Sequence, residues 1–320
     1  MCATSPQNND RPVVGRFAPS PSGRFHVGNI FSSLVAALVA DEMILRIEDL
    51  DPDRSKQEFI DGVMRDLEWF GFQWVGEVCY QSAPDRQAAY RQACNILEVQ
   101  GLVYPCFCSR SDLHSARAPQ VGEEFIYQNT CKFLTEEERR ARSAQRDPAL
   151  RLDVSCAREP ICFDDLFQGE QCFDLERSAG DFIIRRSDGV FAYQLAVVLD
   201  DAASGVTSVV RGADLLSSTP KQRYLQELLG LPVVSYGHGP IFVDEAGRKL
   251  SKRNEDASLV YLIEQLKMAP NEILGYLAWI SGMIPEWEAL DLDELKRVAD
   301  LDALSARRVV EWRAPARRRR

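Results

Sequence analysis

The stretch Pro19-Ser20-Pro21-Ser22-Gly23-Arg24-Phe25-His26-Val27-Gly28-Asn29 decides how this chain is read. Before it stands the apolar run Val13-Val14-Gly15-Arg16-Phe17, and after it Ile30-Phe31-Ser32-Ser33-Leu34-Val35-Ala36-Ala37-Leu38. That order predicts a strand-to-helix turn, where free backbone N–H groups favour phosphate. Further along, Met43-Ile44-Leu45-Arg46-Ile47 reads as a second buried strand that ends in Glu48-Asp49-Leu50-Asp51. Polar side chains at the carboxyl end of a parallel strand face the ligand crevice of an open α/β sheet. Phe59, Ile60, Val63, Met64, Leu67 and Phe70 recur at helical spacing before Gly71, and Tyr90, Ala93 and Leu97 do so between Pro84 and Gly101. This alternation predicts a parallel sheet with helices on its faces.

Lys249-Leu250-Ser251-Lys252-Arg253 follows Asp244-Glu245-Ala246-Gly247, which puts two lysines on a glycine-led loop. A mobile loop of this kind can bring positive charge to a leaving pyrophosphate. The stretch from about 104 to 190 breaks the alternation. It holds close cysteines, short mixed segments and a helix that Thr135 caps, with Glu138 three residues on. Sheet-like patterning resumes at Phe191–Leu199 and Val206–Val210, followed by a helix that Thr219 can cap, with Pro220 in its first turn and Gly230 past its end. From about 256 the pattern is helical to the end.

The 320 residues, 45% of them hydrophobic and 27% charged, allow a soluble core domain with an insertion. No apolar stretch approaches the roughly 20 residues of a membrane span. Met1 to Arg11 lack the basic start and apolar centre of a secretory signal, so the expected location is cytoplasmic. A net charge of −10 argues against indiscriminate nucleic-acid binding. It leaves room for a local basic face, and Arg317–Arg320 with Arg307, Arg308 and Arg313 form the obvious cluster, read most simply as a solvated end. Nine cysteines without a secretory signal suit reduced thiols, and Cys2, Cys79, Cys94, Cys156, Cys162 and Cys172 read as buried or free. Cys106-Phe107-Cys108 with Cys131 has the look of a zinc site, for which Tyr127 and His114 are both available as a fourth ligand.

With Arg-Phe-Ala-Pro-Ser-Pro-Ser-Gly (16 to 23), Leu-Arg-Ile-Glu-Asp-Leu-Asp (45 to 51), Val-Val-Arg-Gly-Ala-Asp-Leu (209 to 215) and Lys-Leu-Ser-Lys-Arg (249 to 253) in order, the chain resembles class I glutamyl-tRNA synthetases from about residue 12 to 255. The resemblance implies a Rossmann-like parallel-sheet core in two halves (1–103 and 191–255), a zinc-containing insertion (104–190) and a helical C-terminal subdomain (256–320). It implies ATP contact, with Mg2+, for His26, Gly28, Asn29, Lys249 and Lys252. Of these, His26 and Lys252 act in catalysis, the lysine neutralising the phosphates in the transition state. It implies glutamate binding by Arg16, Ala18, Ser20, Glu48, Tyr193 and Arg211, since a guanidinium fork suits a carboxylate. Structural alternatives stand beside these: Arg16 could brace Asp49, Glu48 could cap a turn and His26 could be a helix-start residue.

The glutamyl-queuosine branch of that family carries Cys-x-Cys and then Tyr-x-x-x-Cys at this place, which favours Cys106, Cys108, Tyr127 and Cys131 as a structural zinc set. Only about 65 residues follow Arg253, too few for an anticodon-reading module of the ordinary kind. The resemblance then implies that glutamate is activated as its adenylate and passed to the queuosine base in the anticodon loop of tRNA(Asp), by a monomer with no membrane partner. The alternative is a truncated glutamyl-tRNA synthetase charging the 3′ end of tRNA(Glu). Two departures from the family pattern are Asn29, where many class I enzymes have His, and a shortened connection in which Asp41-Glu42 must turn the chain.

Overall fold

A computed structural model describes residues 11–315, apart from 24, 110, 111, 113–125, 158 and 251–253. In chain order the strands among these residues are β1 (Val14–Phe17), β2 (Glu42–Ile47), β3 (Cys79–Tyr80), β4 (Val103–Cys106), β5 (Ala149–Leu152), β6 (Ile161–Asp165), β7 (Gly169–Phe173), β8 (Phe182–Arg185), β9 (Ser208–Gly212), β10 (Ser235–Gly239), β11 (Ile241–Val243) and β12 (Val309–Glu311). β1, β2 and β3 pair in parallel. β9 and β10 form a second parallel pair. Strand β9 runs on from beside β1, where the Thr207 N–H donates to the Val14 carbonyl at 2.9 Å. The two halves of the α/β core therefore meet along β1 and β9, whose carboxyl ends open on one cleft.

The helix after β1, α1 (Val27–Val39), buries Val27, Ile30, Phe31, Leu34 and Val35. Burying side chains of this size stabilises by about 1.5–3 kcal/mol each before entropy is counted. Asp41 makes the short turn back to β2: its N–H donates to the Val13 carbonyl, and its carboxylate accepts the Val13 N–H at 2.7 Å. The helices Gln57–Trp69 and Pro84–Val99 follow, with Gly71 and Gly101 beyond their ends at φ +79° and +72°.

Residues 104–190 divide between two sheets. β4, β5 and β8 form an antiparallel sheet of their own, whereas the hairpin β6–β7 joins the second half, β6 pairing in parallel with β10. Cys162 and Cys172 face each other in that hairpin and are joined by a disulfide, which corrects the reading of both as free thiols. The Thr135–Glu138 capping box forms as expected at the helix Glu136–Ser143.

Three further expectations are corrected. Tyr193–Ala203 is an α-helix, because its apolar run Leu195–Val198 is buried on every side and loses the alternation that separates strand from helix. Thr219 opens the helix Thr219–Leu229 without capping it, since Ser218 is the N-cap and the Thr219 hydroxyl is engaged with Arg211. The chain after 256 is not wholly helical: it passes through the helices Pro270–Ile280 and Leu292–Val298 and ends in β12, parallel to β11. This region shares the main core, with Ile273, Leu274, Leu277 and Trp312 in one cluster with Phe31, Leu34 and Phe242.

Candidate active site

The cleft at the carboxyl ends of β1 and β9 has a volume of about 520 Å³. Its lining includes Arg16, Ala18, Ser20, Glu48, Tyr193 and Arg211, and also His26, Gly28, Asn29 and Lys249. Lys252 and His114 lie outside the described residues, as does the Arg317–Arg320 run.

His26 is the N-cap of α1. Its Nδ1 accepts the Gly28 N–H at 3.0 Å, while the Asn29 side chain accepts the His26 N–H at 3.1 Å. A β-carbon on residue 28 would meet the imidazole at 2.9 Å, so only glycine lets the ring fold back over the first turn. The helix-start reading and the cleft-lining position thus coexist in one residue. Lys249 stands at the other lip, where it bridges back to Val243 across a tight hairpin and pairs with Asp214.

The inner end of the cleft is charged and buried. Arg46 binds Asp201 at 2.5 Å and Glu48 at 3.3 Å, and Arg16 lies 3.7 Å from the same Asp201. Arg16 also donates to the Val210 carbonyl at 2.9 Å, which ties β1 to β9. Burial lowers the pKa of Arg16. At Arg46 burial is outweighed by Asp201 and Glu48, which hold its pKa above the ordinary value. Burial raises the Glu48 carboxyl above the usual range, opposed by Arg46 and Arg16. Ser20 donates to Glu48 at 3.3 Å. Of the structural alternatives, Asp49 is held by Ser82 rather than Arg16, and the Glu48 carboxylate binds Ser20 and Arg46 rather than a turn.

Arg211, on β9, is 6% exposed. Its guanidinium donates to Gln222 at 2.9 Å, Thr219 at 2.8 Å, Tyr193 at 3.3 Å and the Leu215 carbonyl at 3.3 Å. Its Nε donates to His238 Nε2 at 3.0 Å. Reading the sequence missed His238, Asp165, Asp201 and Arg46. A charged residue inside the apolar strand Met43–Ile47, and one of only three histidines beside Gly-Pro, were the signals available.

Away from the cleft, Cys106, Cys108 and Cys131 bring their sulfurs within 4.8 Å of one another. Tyr127 Oη lies 3.5 Å from both Cys106 and Cys108, and Cys108 Sγ lies 3.6 Å from Cys131 Sγ. A tetrahedral zinc with sulfur at about 2.3 Å and oxygen at about 2.0 Å needs edges of about 3.8 and 3.5 Å. The Tyr127–Cys106, Tyr127–Cys108 and Cys108–Cys131 edges fit that frame. Arg151 donates to Cys106 at 3.2 Å and sits 3.7 Å over the Tyr127 ring. Burial opposes the Cys106 thiolate, but the bonds from Tyr127 and Arg151 prevail and lower its pKa, whereas burial and the neighbouring thiols raise that of the Tyr127 hydroxyl.

A family model described as tRNA synthetases class I (E and Q), catalytic domain, matches residues 12–307. Among curated relatives, the glutamyl-Q tRNA(Asp) synthetase of Nitratidesulfovibrio vulgaris is 44% identical over 291 residues, covering 86% of this chain and 88% of that protein. The protein of the same name from Symbiobacterium thermophilum is 41% identical, covering 90% and 93%. Among solved structures, glutamate-tRNA synthetase from Elizabethkingia anophelis superposes with a TM-score of 0.78 at 23% identity, covering 95% of this chain and 68% of that one. The fold is the α/β class I synthetase fold that the resemblance implied, with the parallel sheet expected from the strand and helix alternation.

Proposed function

This chain belongs to the class I tRNA synthetase family of glutamate and glutamine, and from that premise we propose that it activates L-glutamate with ATP and transfers it to the queuosine base of tRNA(Asp). The observation that carries the activation step is one cleft with a helix N-terminus, His26 and Lys249 at its mouth and buried arginines within. The queuosine acceptor rests on relatives of that name, similar over most of their length.

ATP lies with its phosphates at the start of α1, against His26, Gly28 and Asn29, and Lys249 meets them from the opposite lip. Mg2+ bound with the ATP would supply further positive charge to the phosphates. Lys252 neutralises the leaving pyrophosphate. His26 caps α1 through Nδ1 while its ring lines the cleft where the nucleotide binds. Arg16 and Arg211 hold the glutamate carboxylates and Glu48 its ammonium, with Ala18, Ser20 and Tyr193 closing around the substrate. The α-carboxylate attacks the α-phosphate and pyrophosphate leaves. A hydroxyl of the queuosine ring then attacks the adenylate carbonyl and AMP leaves. No protein nucleophile is needed, because positioning and charge supply the rate. Cys106, Cys108, Tyr127 and Cys131 would hold one zinc, whose role would be a structural staple on the insertion. The protein works as a cytoplasmic monomer, in the parts 1–103, 104–190, 191–255 and 256–320.

Glutamate-dependent exchange of pyrophosphate into ATP without tRNA tests the activation step, and its absence would refute it. Labelled glutamate is then offered to tRNA with and without queuosine, and the product is cut with RNase. Label on the anticodon fragment of queuosine-containing tRNA(Asp) is expected, whereas label on the 3′ end of tRNA(Glu) would replace this reading with the simpler charging reaction. Metal analysis should give about one zinc per chain, lost with some thermal stability in Cys106→Ser. Metal-free protein of unchanged stability would remove the zinc assignment.

A further inference from the structure

Among the described residues, every hydrogen-bond acceptor of Arg211 is neutral: a histidine, a glutamine, a threonine, a tyrosine and a backbone carbonyl. A buried guanidinium with no anion is costly unless a ligand supplies one. One carboxylate nevertheless stands behind it. Asp165 Oδ2 lies 2.5 Å from His238 Nδ1, and both side chains are wholly buried. Oδ1 of the same carboxylate accepts the backbone N–H groups of His238, Phe167 and Gln168 at 2.9 to 3.1 Å, which fixes its position.

The protons on this chain of contacts follow from the donor inventory. Arg211 Nε can only donate, so His238 Nε2 accepts and carries no hydrogen. Nδ1 therefore holds the ring's single N–H and gives it to Asp165. Arg211 and His238 are register partners on the parallel strands β9 and β10, so the backbone itself sets their spacing. The His238 ring also stacks on Tyr236 at 11°. The imidazole is thus locked in one tautomer and one orientation between an anion and a cation.

We infer that His238, oriented by Asp165, is a positioning residue that aims the Arg211 guanidinium at the substrate carboxylate while keeping Asp165 from neutralising it. A direct Arg211–Asp165 ion pair would satisfy the arginine internally and compete with glutamate. A neutral imidazole in between transmits orientation and leaves the positive charge for the ligand. The inference rests on the proposed glutamate-binding role of Arg211 and names the residues that set it.

The test measures glutamate-dependent ATP–pyrophosphate exchange by the full chain, with KM for glutamate, KM for ATP and kcat read separately. His238→Asn keeps a donor toward Asp165 and loses the acceptor for Arg211, whereas His238→Gln places a carbonyl oxygen near the Nε2 position. His238→Asn should raise KM for glutamate by about tenfold to a hundredfold, with KM for ATP within about twofold, and His238→Gln should restore most of the loss. Asp165→Asn, which frees the imidazole tautomer at nearly constant shape, should raise the same KM and carries the test if His238→Asn does not fold. Adding Asp165→Asn to His238→Asn should bring KM for glutamate back down, because the competing anion is gone. An equal rise in both KM values, a fall in kcat alone, an additive double variant, or failure of Gln to rescue would each overturn the inference. No exchange by the unaltered protein would instead refute the glutamate-activating function itself.

Discussion

Arg16 and Arg211 are two buried arginines, each 6% exposed, that face one cleft from opposite halves of the fold, and they are held in different ways. Arg16 shares Asp201 with Arg46, and Glu48 completes a cluster of two cations and two anions whose charges cancel. Arg211 is gripped on all sides by neutral acceptors and keeps its whole charge. The difference teaches that two arginines lining one cleft can be held in two ways, one beside carboxylates of the protein itself and one among neutral groups. Removing one member of the closed cluster leaves an uncompensated buried charge, while the open arginine is completed only when an anion arrives.

The largest expected effect separates the two directly. Asp201→Asn should cost about 3–5 kcal/mol of stability in urea denaturation, because Arg16 and Arg46 lose their common anion. A loss below about 1 kcal/mol would show that the cluster is not structural. Arg211→Lys keeps the charge and loses the fork, and kcat/KM for glutamate in the exchange reaction should fall about a hundredfold, worth about 2.7 kcal/mol. Its urea midpoint should move less than that of Asp201→Asn, and the reverse ranking would break the comparison.

The smallest effect is a pH dependence. Burial, with Arg211 and Arg16, pushes the His238 pKa below 6.5 against the pull of Asp165. The unfolded chain then binds more protons than the native one in that window, so stability is full above about pH 6.5 and declines as pH falls toward the native pKa, by at most about 1.4 kcal/mol per unit. Asp165 is held below its ordinary value: burial opposes this, and the bonds from His238 prevail. Its contribution is lost only below about pH 3.8. Urea midpoints at pH 7.5 and 5.5 should differ more for the unaltered protein than for His238→Gln. Taking that difference cancels the contribution of Glu48, whose raised pKa acts with the opposite sign. Equal differences would show that His238 does not titrate as described.

Much of this was legible because it is local. The turn at Pro19–Asn29, the acidic end of β2 and the capping box at Thr135 are each written in a few adjacent residues whose geometry short-range sterics and hydrogen bonds decide. Periodicity failed at Tyr193–Ala203, because a segment buried on every side carries no alternation. The Cys162–Cys172 disulfide went unread because a spacing of ten residues does not announce that two cysteines sit opposite each other on a hairpin.

By itself the sequence determined an α/β fold of one family, a phosphate-favouring helix start, and a cysteine cluster able to hold a metal, since each depends on residue types at fixed short spacing. Only the tertiary structure decided that the last strand returns to β11 and that the hairpin β6–β7 carries Asp165 to His238. It alone decided that Arg16 stands beside a carboxylate shared with Arg46 while the acceptors of Arg211 are neutral. The reason is that a buried charge takes its character from its neighbours in space, and for Arg16 and Arg211 those neighbours include Asp201, which is 185 residues from Arg16 by numbering (201 − 16), and His238, which is 27 residues from Arg211.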